Sequence, residues 1–512
     1  MLAKVKSLGL VGIQGYEVRV EADLNSGLPK FDIVGLPDAS IKESKERIRS
    51  AIKNSNFKFP ITKVTVNLAP ADVKKEGPLY DLPIAVALLI CTEEIRCDNI
   101  KDYTFIGELS LDGSVRRING VLPALITAID QGHKRIFIPA ENGTEASFID
   151  GIEVYGVENL KQVVEFLNGT KNLEQIKRRK FSDLSENILV QNDFSYIRGQ
   201  GHAKRALEIS AAGGHNVLMI GPPGAGKTML ARSVPTIMPD LTFEESLEVT
   251  KIHSIAGTLN LNEGIILQRP FRSPHHSSTL IALTGGGNSA KPGEISLAHN
   301  GILFLDELPE YNRHTIETLR QPLEDGVITI ARNALTVEYP ASFMLIASMN
   351  PCPCGNFGSR KRECKCTPSA IQKYLGKISG PLLDRIDLHI EVDDISYDDL
   401  VSKDKVEESS AEIKARVNKA REIQLKRYKN SPHFCNAKMS NSEIRKYCVL
   451  DKECENLMQD AFDNLALSAR AYNRILKVAR TIADLEGVEN ITLSHLAEAV
   501  GYRSMDKKYN FR

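Results

Sequence analysis

The chain has 512 residues, of which 42% are hydrophobic and 25% charged, a length that suits about three domains of ordinary size. These fractions are typical of folded globular proteins and exclude a wholly disordered, collagenous or membrane-spanning chain. Basic and acidic residues both number 65, so no global field draws the chain to nucleic acid or membrane, although local clusters of charge still can.

Residues 1–180 mix short β-rich runs with helical runs and predict an α/β domain. The β-rich runs are Val18 to Ala22, Val64 to Leu68 and Arg135 to Ile138, and the helical runs are Ile41 to Lys53 and Leu122 to Gln131. A basic segment, Lys171 to Lys180, is typical of an exposed connector. The longest nearly unbroken apolar stretch, Leu82 to Cys91, is too short to cross a bilayer, and no secretory signal precedes it. We therefore expect a cytoplasmic protein with no membrane partner.

Residues 190–395 alternate short apolar strands with helix-forming stretches, the pattern of a parallel sheet covered by helices on both faces. The clearest strands are Asn216 to Ile220, Gly301 to Leu305 and Phe343 to Ala347. Between the last two, Val327 to Arg332 and Leu335 to Tyr339 alternate apolar and polar residues and predict a β-hairpin. Residues 396–512 are charged and predict a helical carboxy-terminal domain.

Residues 221–228 match the phosphate-loop pattern completely, between a predicted strand and a predicted helix. They are Gly221, Pro222, Pro223, Gly224, Ala225, Gly226, Lys227 and Thr228. The glycines would let the backbone direct its N–H groups at phosphates, Lys227 would contact the β- and γ-phosphates, and the Thr228 hydroxyl would bind Mg²⁺. A glycine-rich turn before a helix is the alternative, and the complete match favours ATP with Mg²⁺.

Two carboxylates, Asp306 and Glu307, follow a predicted strand at the edge of the sheet where ligands of such folds bind. Asp306 suits Mg²⁺ coordination through water, and Glu307 suits the general base that deprotonates the attacking water. Asn350, after the next strand, is a candidate sensor of the γ-phosphate. Arg385 lies in a segment that could reach the nucleotide of a neighbouring subunit. A helix cap for the acids and a surface salt bridge for the arginine are the alternatives.

Two close cysteine pairs lie in the segment 352–366: Cys352 with Cys354, and Cys364 with Cys366. A short Gly-rich basic loop separates them, so four thiolates could converge on one tetrahedral Zn²⁺. Closed four-cysteine coordination leaves no open position and would make the metal structural. Redox-active or free thiols are the alternative.

Basic residues cluster at 360–362 and over 413–429, where they could contact a polyanion or simply be solvated. Two adjacent histidines, His275 and His276, lack a third metal ligand. For them we predict a structural or pore-loop role.

The phosphate loop, Asp306-Glu307, Asn350 and the segment Leu382-Leu-Asp-Arg-Ile386 together resemble an AAA+ ATPase of the magnesium-chelatase-like branch. Pro270-Phe-Arg-Ser-Pro-His-His-Ser277 and the segments 293–301, 306–310 and 351–354 resemble the ComM/YifB group in particular. That resemblance implies a hexameric ATP-driven motor on DNA, a helicase that moves branched or single-stranded recombination intermediates (branch migration) during natural transformation.

The same resemblance implies roles for four arginines. Arg385 would be the finger that acts in trans, and Arg332, at the tip of the predicted hairpin in the ring pore, would contact DNA phosphate. The helical end looks like a lid that places Arg470, or as a second choice Arg474, on the bound nucleotide. An ordinary helix-surface arginine is the alternative for the last two.

Residues 1–180 resemble the proteolytic domain of Lon-type proteases, over Ile106 to Val115 and Gly132 to Pro139. Lon-type enzymes need a serine after Gly-Pro and a lysine on a later helix, whereas this chain has Leu79 and Leu122 there. We therefore predict a Lon-protease-like fold that lacks the Ser-Lys dyad.

Two functions of different class remain. The first is the DNA motor, and the alternative is a magnesium-chelatase-type ATPase that remodels a protein partner for metal insertion. The Lon-like domain and the cysteine pairs favour the first, because the chelatase ATPase subunit ordinarily lacks both. An ATP-dependent peptidase is disfavoured by the two leucines.

Overall fold

The structure is a computed structural model of the chain. It describes residues 1–184, 192–260, 262–287, 290–332, 335–359, 362–394, 407–429, 431, 433–465, 467–505 and 509.

The amino-terminal part is built on one seven-stranded mixed sheet. Its strands and a small separate ribbon are β1 (Leu2–Val11), β2 (Gln14–Asn25), β3 (Lys30–Val34), β4 (Lys63–Ala69), β5 (Tyr103–Phe105), β6 (Glu108–Leu109), β7 (Val115–Arg116), β8 (Arg135–Pro139) and β9 (Glu153–Val157). The helices are α1 (Ala39–Asn54), α2 (Asp81–Cys91), α3 (Val121–Asp130), α4 (Gly143–Ala146) and α5 (Leu160–Leu167). The sheet order is β3-β4-β2-β1-β5-β8-β9, and the five runs predicted from sequence in this part are confirmed.

The second part carries a parallel sheet and a hairpin. Its strands are β10 (Val217–Ile220), β11 (Phe271–Arg272), β12 (Gly285–Gly286), β13 (Lys291–Pro292), β14 (Ile302–Leu305), β15 (Val327–Arg332), β16 (Leu335–Pro340), β17 (Met344–Met349) and β18 (Leu388–Glu391). Its helices are α6 (Gly201–Gly213), α7 (Lys227–Ser233), α8 (Phe243–Ala256), α9 (Leu280–Thr284), α10 (Glu294–Leu297), α11 (Arg313–Glu317), α12 (Arg320–Asp325), α13 (Pro368–Leu375) and α14 (Gly380–Leu383). The predicted hairpin is confirmed, because β15 pairs with β16 in antiparallel register.

Five parallel strands form the main sheet here, in the order β11-β14-β17-β10-β18. β10, β14 and β17 are buried along their whole length, which explains why their sequences are unbroken apolar runs. After β10 the chain crosses to the edge strand β11, returns through β14 and β17, and crosses β10 again to reach β18. The loop after β10 therefore lies where the strand order reverses, the usual ligand site of such sheets.

The carboxy-terminal part is helical, as predicted. Its helices are α15 (Ser410–Arg427), α16 (Asn441–Tyr447), α17 (Lys452–Asn464), α18 (Ala469–Glu486) and α19 (Leu493–Gly501). α15 and α18 pack on α6, and the three share one apolar cluster with β10. His215 Nε2 lies 2.7 Å from Thr481 Oγ1, which ties α18 to the chain just before β10 begins. Within the ranges described above, no helix combines the length and apolarity needed to cross a membrane.

The amino-terminal part docks on the core through α3. The N–H of Gly120, at the start of α3, donates to the carbonyl and hydroxyl oxygens of Ser254 in α8, at 3.2 and 3.1 Å. The buried carboxylate of Glu145 accepts hydrogen bonds from the Leu122 N–H (2.9 Å) and from the Ser254 hydroxyl. Burial raises the pKa of Glu145, and the hydrogen bonds oppose that rise.

The turn between β1 and β2 makes a second contact with the core. Gly12 has φ +58°, and a Cβ built on it would lie 2.2 Å from Val337 Cγ1 in β16. Val11 and Ile13, on either side, pack against the apolar cluster that contains Val337 and Tyr339. Val337 is the third residue of β16, so the turn is seated on the middle of this hairpin strand, and a Cβ at position 12 would collide with it.

Candidate functional site

The phosphate loop runs from the end of β10 to the start of α7. Gly224 and Gly226 have φ values of +84° and +89°, and a Cβ on either would meet no atom within 4 Å. The backbone conformation, and not crowding, requires glycine at these two positions. Their surroundings leave open space at the amino end of α7, where N–H groups and the helix dipole favour an anion.

Lys227 is buried and its ammonium rests on the loop itself. Nζ donates to the carbonyl oxygens of Gly221 (2.6 Å) and Pro222 (2.9 Å) and to Oδ1 of Asn350 (3.2 Å). Burial lowers the pKa of Lys227 to about 8, against the opposing effect of Asp306 and Glu307. The structure therefore brings Asn350, the predicted sensor, to the phosphate-binding lysine.

Asp306 and Thr228 face each other across the loop. The Thr228 hydroxyl donates to Asp306 Oδ2 at 2.8 Å, and the Ser348 hydroxyl donates to Asp306 Oδ1. A hydroxyl and a carboxylate at this separation are the oxygen ligands that fit Mg²⁺, directly or through water. Ser348, which the sequence analysis passed over in favour of Asn350, is the residue that fixes this carboxylate. Its signal was its position at the end of a buried strand.

Glu307 adopts a left-handed conformation, with φ +53°. Its N–H donates to Ser348 Oγ at 3.2 Å, and its side chain is 55% exposed. Nδ1 of His276 lies 3.9 Å from Glu307 Oε2. A non-glycine residue at positive φ is strained, and such strain is concentrated at functional sites. For His276 a structural or pore-loop role was predicted, because nothing in the local sequence indicates that its loop returns to this carboxylate.

Arg385 lies at the amino ends of the strands, whereas the phosphate loop lies at their carboxyl ends. It precedes β18, whose amino end pairs with the amino end of β10. Its guanidinium pairs with Glu324 in α12 and donates to the carbonyl of Pro381 (2.7 Å), and Nε is buried without a hydrogen-bond partner among the described atoms. Because β18 runs parallel to β10, Arg385 lies before the amino ends of both strands, whereas the phosphate loop follows the carboxyl end of β10.

Arg470 and Arg474, the two arginines of the predicted lid, lie close to Arg385 at the amino ends of the strands. Nη2 of Arg470, whose side chain is 59% exposed, is 3.7 Å from Glu324, and Arg474 pairs with Asp387 just before β18. The role of Arg470 at a nucleotide stays a prediction.

The four predicted zinc ligands converge. Their sulfur atoms all lie within 4.8 Å of one another. The Cys352 sulfur is 3.4 Å from that of Cys354 and 3.7 Å from that of Cys364, and Cys354 is 3.7 Å from Cys364. Tetrahedral Zn²⁺ with bonds of about 2.3 Å requires sulfur separations of about 3.8 Å, so the geometry fits this ion.

The predicted DNA contacts are placed only in part. Arg332 ends β15 and its backbone pairs with Leu335, but its side chain and residues 333–334 lie outside what the structure describes. The same holds for residues 360–361 of the basic loop.

The stretch 413–429 is less available than its sequence indicates. Lys414 pairs with Asp240 (2.6 Å) and Arg427 with Asp484 (2.5 Å). Arg416 pairs with acids on both sides of it, Glu208 and Glu408. Acidic residues that lie outside this helix therefore neutralise much of its positive charge, which the local sequence does not indicate.

Both leucines at the predicted Lon-type dyad positions lie in one apolar cluster. Leu122 is fully buried there, and Leu79 packs against it half-buried. The cluster offers neither a nucleophile nor a base at these two positions.

Comparison with known proteins extends over the whole chain. The family described as Magnesium chelatase, subunit ChlI matches residues 193–400, Subunit ChlI of Mg-chelatase matches 20–142, and Magnesium chelatase, subunit ChlI C-terminal matches 407–503. Competence protein ComM of Haemophilus influenzae is 44% identical over 509 residues, 98% of each chain. The chain belongs to the ComM/YifB group of magnesium-chelatase-like AAA+ ATPases.

Other members of the family differ in how far the likeness reaches. The uncharacterized protein YifB of Escherichia coli (strain K12) is 44% identical over 508 residues, 99% of this chain and 98% of its own. Magnesium-chelatase subunit ChlI-2, chloroplastic, of Arabidopsis thaliana is 22% identical over 368 residues, 66% of this chain and 79% of its own. The ComM/YifB likeness is thus both higher and longer than the chelatase one.

Proposed function

We propose that this protein is an ATP-driven motor that assembles as a ring, with six subunits as the expected number, and moves branched or single-stranded DNA. The observation that carries the proposal is the convergence of Lys227, Thr228, Asp306, Glu307 and Asn350 at the end of one sheet, in a chain 44% identical to a competence protein over its whole length. Competence is uptake of DNA by a cell, and a motor on recombination intermediates fits that setting.

Each residue of the site has a separate role in the proposed hydrolysis of ATP. The phosphate-loop N–H groups and Lys227 would bind the phosphates, and Thr228 with Asp306 would hold Mg²⁺, which when bound would supply neutralising charge to the phosphate oxygens. Glu307 takes a proton from the attacking water, and Asn350, already bonded to Lys227, can orient that water or the γ-phosphate. Ser348 keeps Asp306 turned toward Thr228.

Arg385 completes the site of the neighbouring subunit. Its place at the far edge of the sheet separates it from its own phosphate loop, and a ring in which each far edge meets the next subunit's loop brings the two together. In that arrangement the guanidinium leaves Glu324 and stabilises charge on the transferring phosphoryl group. Arg470, which shares Glu324, would follow it to the same nucleotide.

We also propose a structural Zn²⁺ held by Cys352, Cys354, Cys364 and Cys366. The support is the sulfur geometry and the donor set, since four thiolates in a tetrahedral array suit Zn²⁺. For the DNA grip we propose Arg332, because the hairpin is present where the family resemblance requires it. That assignment rests on the hairpin backbone and the resemblance alone.

The deciding experiment is steady-state ATPase activity with no DNA and with branched, single-stranded and duplex DNA. The motor proposal expects stimulation by DNA in the parent and its loss in Arg332→Ala, with basal hydrolysis nearly unchanged. Arg96→Ala serves as the matched control, because it removes one exposed arginine from the amino-terminal part, outside the two basic clusters. Basal ATPase that no DNA stimulates would favour the chelatase-type alternative, in which the partner is a protein.

A further inference from the structure

The loop between the two cysteine pairs touches the phosphate loop directly. A Cβ built on Gly355 would lie 2.5 Å from Pro223 Cδ and 2.8 Å from Pro223 Cγ. Such distances are closer than carbon atoms tolerate, so only glycine allows the two loops to pack together here. Gly358, three residues further along, has nearly the same φ (+79° against +78°), yet its Cβ would meet nothing within 4 Å.

The chain links the cysteines to the nucleotide site a second time. Cys352 is fully buried and follows Asn350 by two residues, and Asn350 accepts a hydrogen bond from Lys227. The Cys352 sulfur accepts a hydrogen bond from the N–H of Phe357 (3.3 Å), which holds the turn that carries Gly355. One short segment therefore touches the phosphate-binding lysine at one end and the phosphate loop at the other.

We propose that the four-cysteine cluster is a positioning element of the nucleotide site: a metal ion held by its thiolates presses Gly355 against Pro223 and keeps the phosphate loop in its ATP-binding shape. The inference rests on the proposed ATP and zinc sites and not on any action on DNA. Without the metal, the polar loop between the cysteine pairs has too little apolar surface to keep its fold. Metal occupancy then regulates ATP affinity.

The cluster is accessible enough for this regulation to operate in solution. Cys354 is exposed, and Cys364 and Cys366 are half-buried. A chelator can therefore reach these three ligands from solvent.

The first test compares Gly355→Ala with Gly358→Ala. Both substitutions put alanine at the same left-handed φ, and only the first creates a contact with Pro223. We expect the Kd for a fluorescent ATP analogue to rise on the order of 10-fold in Gly355→Ala, the loss of about one hydrogen bond to a charged phosphate, and to stay at the parent value in Gly358→Ala. Equal Kd values in both variants, whether raised or unchanged, would overturn the contact as the cause.

The second test removes the metal from the parent. We expect about one zinc per chain by elemental analysis, and a Kd for ATP that rises on chelation and returns when zinc is restored, with the far-ultraviolet circular dichroism unchanged. Cys364→Ser with Cys366→Ser should reproduce the chelated Kd. A zinc-free protein, or a Kd indifferent to zinc removal, would overturn the proposal. ATP binding that responds to zinc in a protein whose ATPase ignores DNA would leave this inference standing while the motor proposal fails.

Discussion

The charge state of Lys227 controls the electrostatics of the site. Its ammonium lies on backbone carbonyls and its pKa is lowered to about 8 by burial, so a sizeable fraction is neutral in mildly alkaline solution. Bound phosphates add negative charge beside it and favour the protonated form. Binding of ATP is thus coupled to uptake of a proton.

This coupling predicts that ATP affinity falls as pH rises. The lowered pKa lies between neutral pH and about 9, so above about pH 8 the free protein must gain a proton to bind, and the Kd should rise by up to about tenfold per pH unit. Isothermal titration between about pH 7.5 and about pH 9.5 in buffers of different ionisation enthalpy checks both the Kd and the proton uptake. In Lys227→Arg the guanidinium stays charged, and any residual binding should be flat over this range.

Glu307 gives a sharper test at the same scale. Glu307→Gln keeps the size of the side chain and removes the base, so we expect ATP binding within about twofold of the parent and turnover lower by about 100-fold or more. Single-turnover hydrolysis beside a binding assay separates the two effects. Turnover equal to the parent would exclude this carboxylate from proton transfer.

The sequence predicted the residues of this site better than their supports. Lys227, Thr228 and Asp306 belong to patterns whose chemistry is local, so spacing alone identified them. Ser348 and His276 act through contacts with Asp306 and Glu307 that form only when β17 and the loop after β11 reach the same edge of the sheet. No local pattern encodes that meeting.

The β15–β16 hairpin combines a local feature that the sequence predicts with a distant contact that it does not. Its alternating sequence was enough to predict it, because pairing across a short turn is local. What the sequence did not predict is that the turn between β1 and β2 packs on the middle of β16, because Gly12 and Val337 are about 325 residues apart along the chain. We expect this contact with the amino-terminal part to brace the hairpin.

Gly12→Ala tests this bracing. The alanine would meet Val337 at 2.2 Å, so the turn or the hairpin must shift, at a cost of about 1–3 kcal/mol beyond the strain of positive φ. We expect a lower melting temperature and a weaker DNA stimulation of the ATPase, with basal hydrolysis kept. Gly132→Ala, at φ +73° with nothing within 4 Å, carries the strain alone and is the control. DNA stimulation equal in the two variants would mean that the seat does not influence the hairpin.

At the scale of the whole molecule, the polarity of the parallel sheet decides how the site is completed. Every strand brings its carboxyl end to the phosphate loop, so Arg385, before the start of β18, is excluded from that edge. The sequence could predict that an arginine acts from another subunit only through family resemblance. The strand order that places Arg385 and the phosphate loop at opposite ends of the strands is a property of the folded sheet.

Mixed rings test this division. Arg385→Ala alone should bind ATP and hydrolyse it poorly, as should Glu307→Gln alone, but a mixture contains interfaces with both an intact base and an intact arginine. We expect the mixture to recover activity, up to about a quarter of the parent's if subunits mix at random. Labelled subunits must first be shown to share rings. Rings that mix and stay inactive would contradict action of Arg385 on the nucleotide of a neighbouring subunit.

The seat of the β1–β2 turn also limits how the protein can be dissected. Val337 and Tyr339 are buried beneath it, and removing residues 1–180 would leave their apolar surface in water. An isolated ATPase fragment is therefore prone to self-association through a face that the intact chain keeps covered. Particle masses measured on such a fragment would include non-specific aggregates. The number of subunits in the assembly therefore has to be determined on the full chain.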